Sequence, residues 1–234
     1  VRAAIFGSAE GGNVIGSTLE HPATASARSQ WSPVAGKENI SIAHDKDQAM
    51  VTAEHYLEHV TAETRVATII QTSPVVGMAV DVKKIAKAIR SKSPDCFIIV
   101  DSIQHAAHGV MDIGAIGVDG CAVSGYKVFS RHNYGVAWVS PRLSTLRHEK
   151  LDGTADNFWE LGTRDTSAFA TFSEVVNYLE WLGSQLTEST DQRTRLETAG
   201  HAMAEQEQHL VDVAINGAEG RTGIRDLPGA FILG

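Results

Sequence analysis

The sequence predicts an α/β fold in which helices cover both faces of a mostly parallel sheet. Short apolar runs recur along the chain and alternate with segments of helical period. Several runs, such as Val66–Gln71 and Cys96–Asp101, are apolar at nearly every position, which is typical of strands buried on both faces. This alternation predicts a doubly wound, three-layer α/β/α domain.

The predicted elements follow in chain order. Six strands are predicted from short apolar or alternating runs at residues 13–18, 39–43, 66–71, 96–101, 120–124 and 135–139. Helices are predicted from apolar residues three or four positions apart at residues 22–31, 52–60, 80–89 and 169–182. A long polar helix is predicted at 187–215, with Leu196, Met203, Leu210 and Val213 as its apolar stripe. The final apolar run, residues 227–234, is predicted as strand-like.

Composition narrows the class of protein. The 234 residues suffice for one large domain, and 43% hydrophobic with 21% charged residues is typical of globular proteins. A net charge of −8 without a basic run argues against a nucleic-acid partner, and no apolar run reaches the ~18 residues of a membrane span. Cys96 and Cys121 lie in or beside strand-like runs, so they are predicted to be buried reduced thiols of a cytoplasmic protein.

Polar residues follow the predicted strands at the edge where α/β sheets bind ligands. Lys127 ends the run Cys121–Lys127, and Asp101 ends the strand before it. A lysine there can condense with an aldehyde, or it can be a salt-bridged surface residue. Asp101 can keep a pyridinium nitrogen protonated, or it can cap a helix or bind magnesium or a sugar. The segment Gln71–Pro74 should line the same crevice.

Further polar residues near these strand ends are candidates for the same site. Gln104 can hydrogen-bond a phenolate oxygen or serve as a turn residue, and His21 can stack on a pyridine ring or begin a helix. Ser124 and Tyr126 bring hydroxyls close to Lys127, where they could bind a phosphate. Thr163 could cap the following helix or donate to a phosphate.

Two other motifs carry weaker signals. His105 and His108 are too sparse for a metal site without a third ligand. The glycine-rich run Gly7–Gly12 does not follow a predicted strand, as a dinucleotide-binding motif should.

Taken in order, these residues resemble the class V aminotransferase family of pyridoxal-phosphate enzymes. This family includes cysteine desulfurases, selenocysteine lyase, isopenicillin N epimerase and kynureninase. The resemblance covers residues 20–172, and it rests on the runs Leu19–Pro22, Gln71–Gly77, Val100–Gln104, Val123–Lys127 and Glu160–Thr163.

The resemblance implies a fold-type-I enzyme with pyridoxal 5′-phosphate as cofactor and an amino acid as substrate. It implies that Lys127 forms the internal aldimine and then shuttles the Cα proton, and that Asp101 pairs with the pyridine nitrogen. It further implies that His21 stacks on the ring and that Gln104 contacts its phenolic oxygen. It also implies that Ser124 and Tyr126 bind the phosphate together with Thr163 of a neighbouring subunit. The protein is therefore expected to be a homodimer with active sites at the interface.

The resemblance also implies how the chain is organised. Residues 1–166 are expected to be part of the cofactor-binding large domain, without its N-terminal portion. Residues 167–234 are expected to be connecting helices and the beginning of a small C-terminal domain.

The chain departs from the family pattern at several positions. Tyr126 precedes the lysine where many members have His, and Pro74 stands where many have Asn, which puts one ring contact in doubt. Neither Cys96 nor Cys121 occupies the position of the desulfurase nucleophile. The expected function is a lyase or desulfurase-like enzyme, with an aminotransferase or epimerase as the alternative. A nucleotide- or sugar-binding α/β domain and a non-catalytic dimeric scaffold are alternatives of another class.

Overall fold

The computed structural model describes residues 1–163 and 165–232 as a layered α/β structure. The main sheet has six strands: β1 (Asn13–Ser17), β2 (Glu38–Ile42), β3 (Thr64–Ile70), β4 (Phe97–Asp101), β5 (Gly120–Ser124) and β6 (Gly135–Val139). A short hairpin near the end comprises β7 (Gly217–Ala218) and β8 (Arg221–Thr222). The helices are α1 (Arg2–Gly7), α2 (Pro22–Val34), α3 (Ala53–His59), α4 (Val82–Lys92), α5 (Ile113–Ile116), α6 (Pro141–Ser144), α7 (Thr166–Ser184) and α8 (Gln192–Asn216).

The main sheet has the strand order β2-β1-β3-β4-β5-β6. β1 to β5 are parallel and β6 pairs antiparallel with β5, so the predicted mostly parallel sheet is confirmed. The carboxyl ends of the five parallel strands therefore lie along one edge, which is the arrangement that a common ligand site needs.

Two apolar clusters pack on opposite faces of the sheet and confirm the three-layer arrangement. On one face, Ile15, Ala67 and Ile98 pack with residues of α3 and α4, such as Tyr56 and Ile85. On the other face the strand residues Val14, Val66 and Phe97 pack with Ala4 and Ile5 of α1, and Trp31 of α2 joins them. Side chains alternate between the faces of a strand, so β1, β3 and β4 each contribute to both clusters.

The C-terminal region differs from the prediction in two ways. The long helix begins at Gln192, five residues later than predicted, because the Asp191 side chain accepts the Thr194 N–H and caps it. Its predicted apolar stripe is incomplete, since Leu210 is 56% exposed.

The strand-like run predicted at residues 227–234 is wrong over its described part. Residues 227–232 form no strand, and residues 233 and 234 lie outside the described residues. Pro228 lacks an N–H to donate to a ladder, and Gly229 has a φ of 79°, a left-handed conformation that breaks an extended run.

The thiol prediction is confirmed for both cysteines. Cys96 and Cys121 are buried and unpaired. Burial raises the pKa of Cys96 to about 12, so that thiol stays protonated and unreactive at neutral pH. Within the described part of the chain, no helix has the length and apolar character required to cross a membrane.

Candidate active site

The strand register places the predicted site residues along one edge of the sheet. Asp101 ends β4 and pairs with Ala122 of β5, so Ser124 lies two residues further along the adjacent strand. Gln71 directly follows β3, and its backbone N–H donates to the Asp101 carbonyl at 2.9 Å. His21 follows β1 and begins α2. The edge thus brings together polar groups from His21 to Ser124, which are 103 positions apart in sequence.

Asp101 lies on the face of the sheet that α2 covers. Phe97 and Ile99, which alternate with it along β4, belong to the cluster on the α1 and α2 face. The Thr24 hydroxyl of α2 donates to Asp101 Oδ2 at 3.4 Å, and the Ile103 N–H donates to Oδ1 at 3.1 Å. Both carboxylate oxygens are therefore held, and the carboxylate faces the start of α2.

Asp101 is not the cap of a described helix, which removes one of the alternatives considered for it. Its bond to Ile103 N–H is a local turn, and the next helix, α5, is capped by Asp112. The ligand-binding interpretations of Asp101 stay predictions.

A short 3-10 turn, Gly125–Lys127, presents Lys127 directly after β5. The Gly125 carbonyl accepts the N–H groups of Val128 and Ser130, which closes the turn. A Cβ at Gly125 would lie only 2.4 Å from the Tyr134 ring, so no larger residue fits there without displacing that ring. Packing thus explains the glycine of the Ser-Gly-X-Lys run, because Gly125 lets the Tyr134 ring lie against the turn that carries Lys127.

The Lys127 amine has no carboxylate partner within residues 1–163 and 165–232, so the salt-bridge alternative gains no support. Its Nζ lies 5.4 Å from the centroid of the Tyr126 ring, and that ring stacks on His132 at 4.5 Å. Tyr126 is 43% exposed, and Ser124 is partly buried. Ser124 and Tyr126 precede Lys127 at the same strand end, and their predicted contact with a phosphate stays a prediction.

His21 is the N-cap residue of α2, as the simpler of its two interpretations predicts. Its Nδ1 accepts the Ala23 N–H at 3.2 Å, and the side chain is exposed. This bond fixes the ring at the helix start but leaves its faces available, so stacking on a pyridine ring stays a prediction.

A buried ion pair fixes the segment that carries His21. Glu20 is 5% exposed and Arg28 of α2 is 1% exposed, and Arg28 Nε lies 3.1 Å from Glu20 Oε2. The Thr68 hydroxyl donates to Glu20 Oε1 at 2.6 Å. Burial raises the pKa of Glu20, and the attraction of the Arg28 guanidinium limits that rise.

Arg28 also ties α2 to two strands. Its guanidinium donates to the Ser17 carbonyl at the end of β1 and to the Asn39 side chain and Ile40 carbonyl of β2. A Cβ at Gly16 would lie 2.2 Å from Thr68 Oγ1 and 2.6 Å from Arg28 Nε, so this network needs glycine at that position. The segment that carries His21 is therefore held by a buried network of hydrogen bonds.

Hydrogen bonds join the two loops that follow β3 and β4. The buried Ser102 hydroxyl donates to Gln71 Oε1 at 2.6 Å and accepts the Cys121 S–H at 3.2 Å. Thr72 Oγ1 and His105 Nδ1 lie 3.1 Å apart. Gln104, in the turn after β4, is partly buried beside these groups. Its predicted contact with a ring oxygen is not tested and stays a prediction.

The histidine pair and the glycine-rich run have ordinary structural explanations. His105 bonds Thr72, while His108 pairs with Glu207 of α8 at 2.9 Å. Among the described residues, no group of three or more His, Cys, Asp or Glu is placed to hold a metal ion. The run Gly7–Gly12 joins α1 to β1 and so precedes a strand, as its sequence position predicts.

Thr163 is exposed and does not cap the following helix, so that alternative is wrong. Asp165 is the cap of α7, because it accepts the N–H groups of Ser167 and Ala168. Asp165 also forms an ion pair with Arg131, which lies in the loop after Lys127. This ion pair connects the loop that follows Lys127 to the start of α7, close in sequence to Thr163.

We expect the pKa of Asp165 to respond to loss of Arg131. The Ser167 hydroxyl and the Arg131 guanidinium lower that pKa to about 2, from 3.8. A carboxylate whose pKa is lowered in the folded state stabilises the fold at pH values above its ordinary pKa. This stabilisation is lost as the pH falls from about 4 through about 2. In Arg131→Met, a carboxyl NMR titration should show a higher Asp165 pKa, whereas Asp191, a cap bonded only to Thr194, should not change.

Arg28 and Thr24 are not predicted from sequence. Arg28 lies in a polar stretch of α2, and its burial depends on Glu20, the end of β1 and Asn39 of β2 meeting in space. Thr24 carries only a weak sequence signal, namely its position three residues after His21 on the same helix.

Comparison with known proteins identifies the family. The family model described as Aminotransferase class-V matches residues 3–216. The chain therefore belongs to the class-V aminotransferase family, and the sequence-based identification is confirmed.

Two curated relatives and one solved structure illustrate the similarity. A probable cysteine desulfurase of Mycoplasma genitalium is 32% identical over 99 residues, which cover 42% of this chain and 24% of that protein. A probable cysteine desulfurase of Borreliella burgdorferi is 23% identical over 188 residues, which cover 71% and 43%. The apo structure of a cysteine desulfurase from Thermococcus onnurineus NA1 superposes with a TM-score of 0.70 at 16% identity, covering 91% of this chain and 53% of that one.

The solved structure shows that the fold-type-I architecture is shared. This chain spans between about a quarter and about half of the length of these proteins.

Proposed function

We propose that the protein is a pyridoxal-phosphate-dependent enzyme that acts on an amino acid through a Schiff base at Lys127. One observation carries the proposal: the sheet brings Asp101, held through both oxygens, to the same edge as Lys127, an amine without a carboxylate partner among the described residues. Family membership supports it, because class-V aminotransferases are pyridoxal-phosphate enzymes.

The donor set fits this cofactor. An anchored carboxylate suits a protonated ring nitrogen, a lysine suits the aldehyde, and Ser124 and Tyr126, at the same strand end as the lysine, carry hydroxyls that suit a phosphate. When bound, the cofactor supplies an electron sink that stabilises negative charge at the Cα atom of an amino acid.

In this proposal each residue has a separate role. Lys127 takes the Cα proton at Nζ and returns it, and His21 packs on the ring face. Asp101 keeps the ring nitrogen protonated, and Gln104 donates to the ring oxygen. Thr163 reaches the phosphate of a partner subunit, so the protein acts as a homodimer.

The favoured reaction is that of a lyase of the cysteine desulfurase type. The names of the two curated relatives support this choice. Transamination and epimerisation are the alternatives within the family. Cys96 and Cys121 are excluded as nucleophiles in any of them, because they are 0% and 4% exposed and burial raises the pKa of both thiols.

Two further proposals concern organisation and setting. Residues 1–166 belong to the cofactor-binding large domain, and residues 167–234 are connecting helices and the start of a small domain. The two unpaired thiols support a reducing, cytoplasmic setting.

Titration with pyridoxal 5′-phosphate tests the proposed function. We expect the purified protein to develop a visible absorption band that saturates at one cofactor per chain. Pyridoxine 5′-phosphate, which lacks the aldehyde, is the matched control and should bind without producing the band. A protein that binds neither compound, or that binds nucleotides or sugars instead, would contradict the proposal.

A further inference from the structure

Thr24 connects the helix that carries His21 to the carboxylate of Asp101. It lies in the first turn of α2, where its N–H donates to the His21 carbonyl at 3.0 Å. Its partly buried hydroxyl donates to Asp101 Oδ2 at 3.4 Å. Thr24 therefore bonds the His21 backbone carbonyl through its own N–H and the Asp101 carboxylate through its hydroxyl, so one residue contacts both residues that the proposed function places on the cofactor.

The contact fixes the orientation of the carboxylate. The Ile103 N–H holds Oδ1 at 3.1 Å, but a single bond to one oxygen leaves the carboxylate free to rotate about its terminal torsion. The Thr24 hydroxyl, on another element, holds the second oxygen and thereby defines the carboxylate plane.

A buried network anchors the helix that carries Thr24. Arg28 lies four residues further along α2, so it is on the same side of the helix, and its buried guanidinium bonds Glu20, the Ser17 carbonyl at the end of β1 and the Ile40 carbonyl in the middle of β2. The helix is thus anchored one turn away from Thr24, and its hydroxyl is held at a defined distance from the sheet edge.

We propose that Thr24 is a positioning residue that holds the Asp101 carboxylate in the orientation needed to pair with the ring nitrogen of the cofactor. This inference rests on the proposed function. In this role Thr24 acts through Asp101, and it couples the placement of Asp101 to that of α2.

Thr24→Val and Thr24→Ser separate this role from simple packing. Valine keeps the shape and removes the donor, so the dissociation constant for pyridoxal 5′-phosphate should rise roughly 3- to 10-fold, as expected for one lost hydrogen bond. Serine keeps the hydroxyl and should restore affinity. Ser29→Ala, an exposed change on the same helix whose hydroxyl bonds only the Ser26 carbonyl, is the matched control and should bind as the wild type does.

A double-mutant cycle with Asp101→Ala tests whether Thr24 acts on cofactor binding through Asp101. In the Asp101→Ala background, Thr24→Val should have no further effect on cofactor affinity, because the group it positions is gone. The inference is overturned if Thr24→Val binds the cofactor as tightly as the wild type, or if Thr24→Val lowers only the melting temperature. It is also overturned if Thr24→Val weakens cofactor binding by the same factor in the Asp101→Ala background. A wild-type protein that binds no cofactor would instead refute the proposed function, and this inference with it.

Discussion

Lys127→Ala should abolish the reaction with amino acids. The variant loses both the amine that links to the cofactor and the base that moves the Cα proton, and a general base alone contributes roughly 10²–10⁴-fold to a rate. Non-covalent binding should persist, since Asp101, Ser124 and Tyr126 remain in place. Steady-state turnover and the visible spectrum of the cofactor-loaded variant measure the two effects separately.

The matched control is Lys87→Ala. Lys87 is an exposed lysine of α4, away from the strand ends, so its removal should change neither turnover nor spectrum. If Lys127→Ala kept wild-type turnover, another group would have to carry the chemistry.

Arg28→Met should strongly destabilise the fold. Breaking a buried ion pair by removing one partner costs about 3–5 kcal/mol, because the remaining charge is left without compensation. For a chain of this size that loss lowers the melting temperature by roughly 6–20 °C. The exposed pair of Lys84 with Glu54 is the matched control, and Lys84→Met should not shift the melting temperature measurably.

The loss of folding stability in Arg28→Met should depend on pH. Burial raises the pKa of Glu20 above 4.5, and removing the guanidinium removes the attraction that opposes this rise. An acid whose pKa is higher in the folded state stabilises it below the ordinary pKa and destabilises it as pH rises. The loss should therefore be smaller at acidic pH. Glu20→Gln combined with Arg28→Met should recover part of the stability, and no recovery would argue against the pair as the cause.

The strands and the residues at their ends could be predicted from sequence, because strands buried on both faces are continuous apolar runs. Asp101, Gln71 and Lys127 are visible as the polar residues that end such runs. The sequence pattern does not contain the strand order or the register. These place Asp101 beside Ala122 and bring residues of four strand ends together.

Contacts that depend on three-dimensional packing were not predictable. The burial of Arg28 requires Glu20, the end of β1 and Asn39 of β2 at the same place. The cap of α7 falls on Asp165 rather than Thr163 because the helix begins at Thr166, three residues before the predicted start at Phe169. The apolar run at 227–232 forms no strand, since apolar composition does not supply a partner or replace the missing N–H of Pro228.

The central claim is that Lys127 links covalently to the cofactor. Reduction of the pyridoxal-phosphate-loaded protein with borohydride, followed by proteolysis and peptide mass spectrometry, tests it most directly. We predict one modified peptide with the added mass on Lys127 and no modification at Lys87. A modification on another lysine, or an unmodified Lys127 in a protein that has bound the cofactor, would contradict the account.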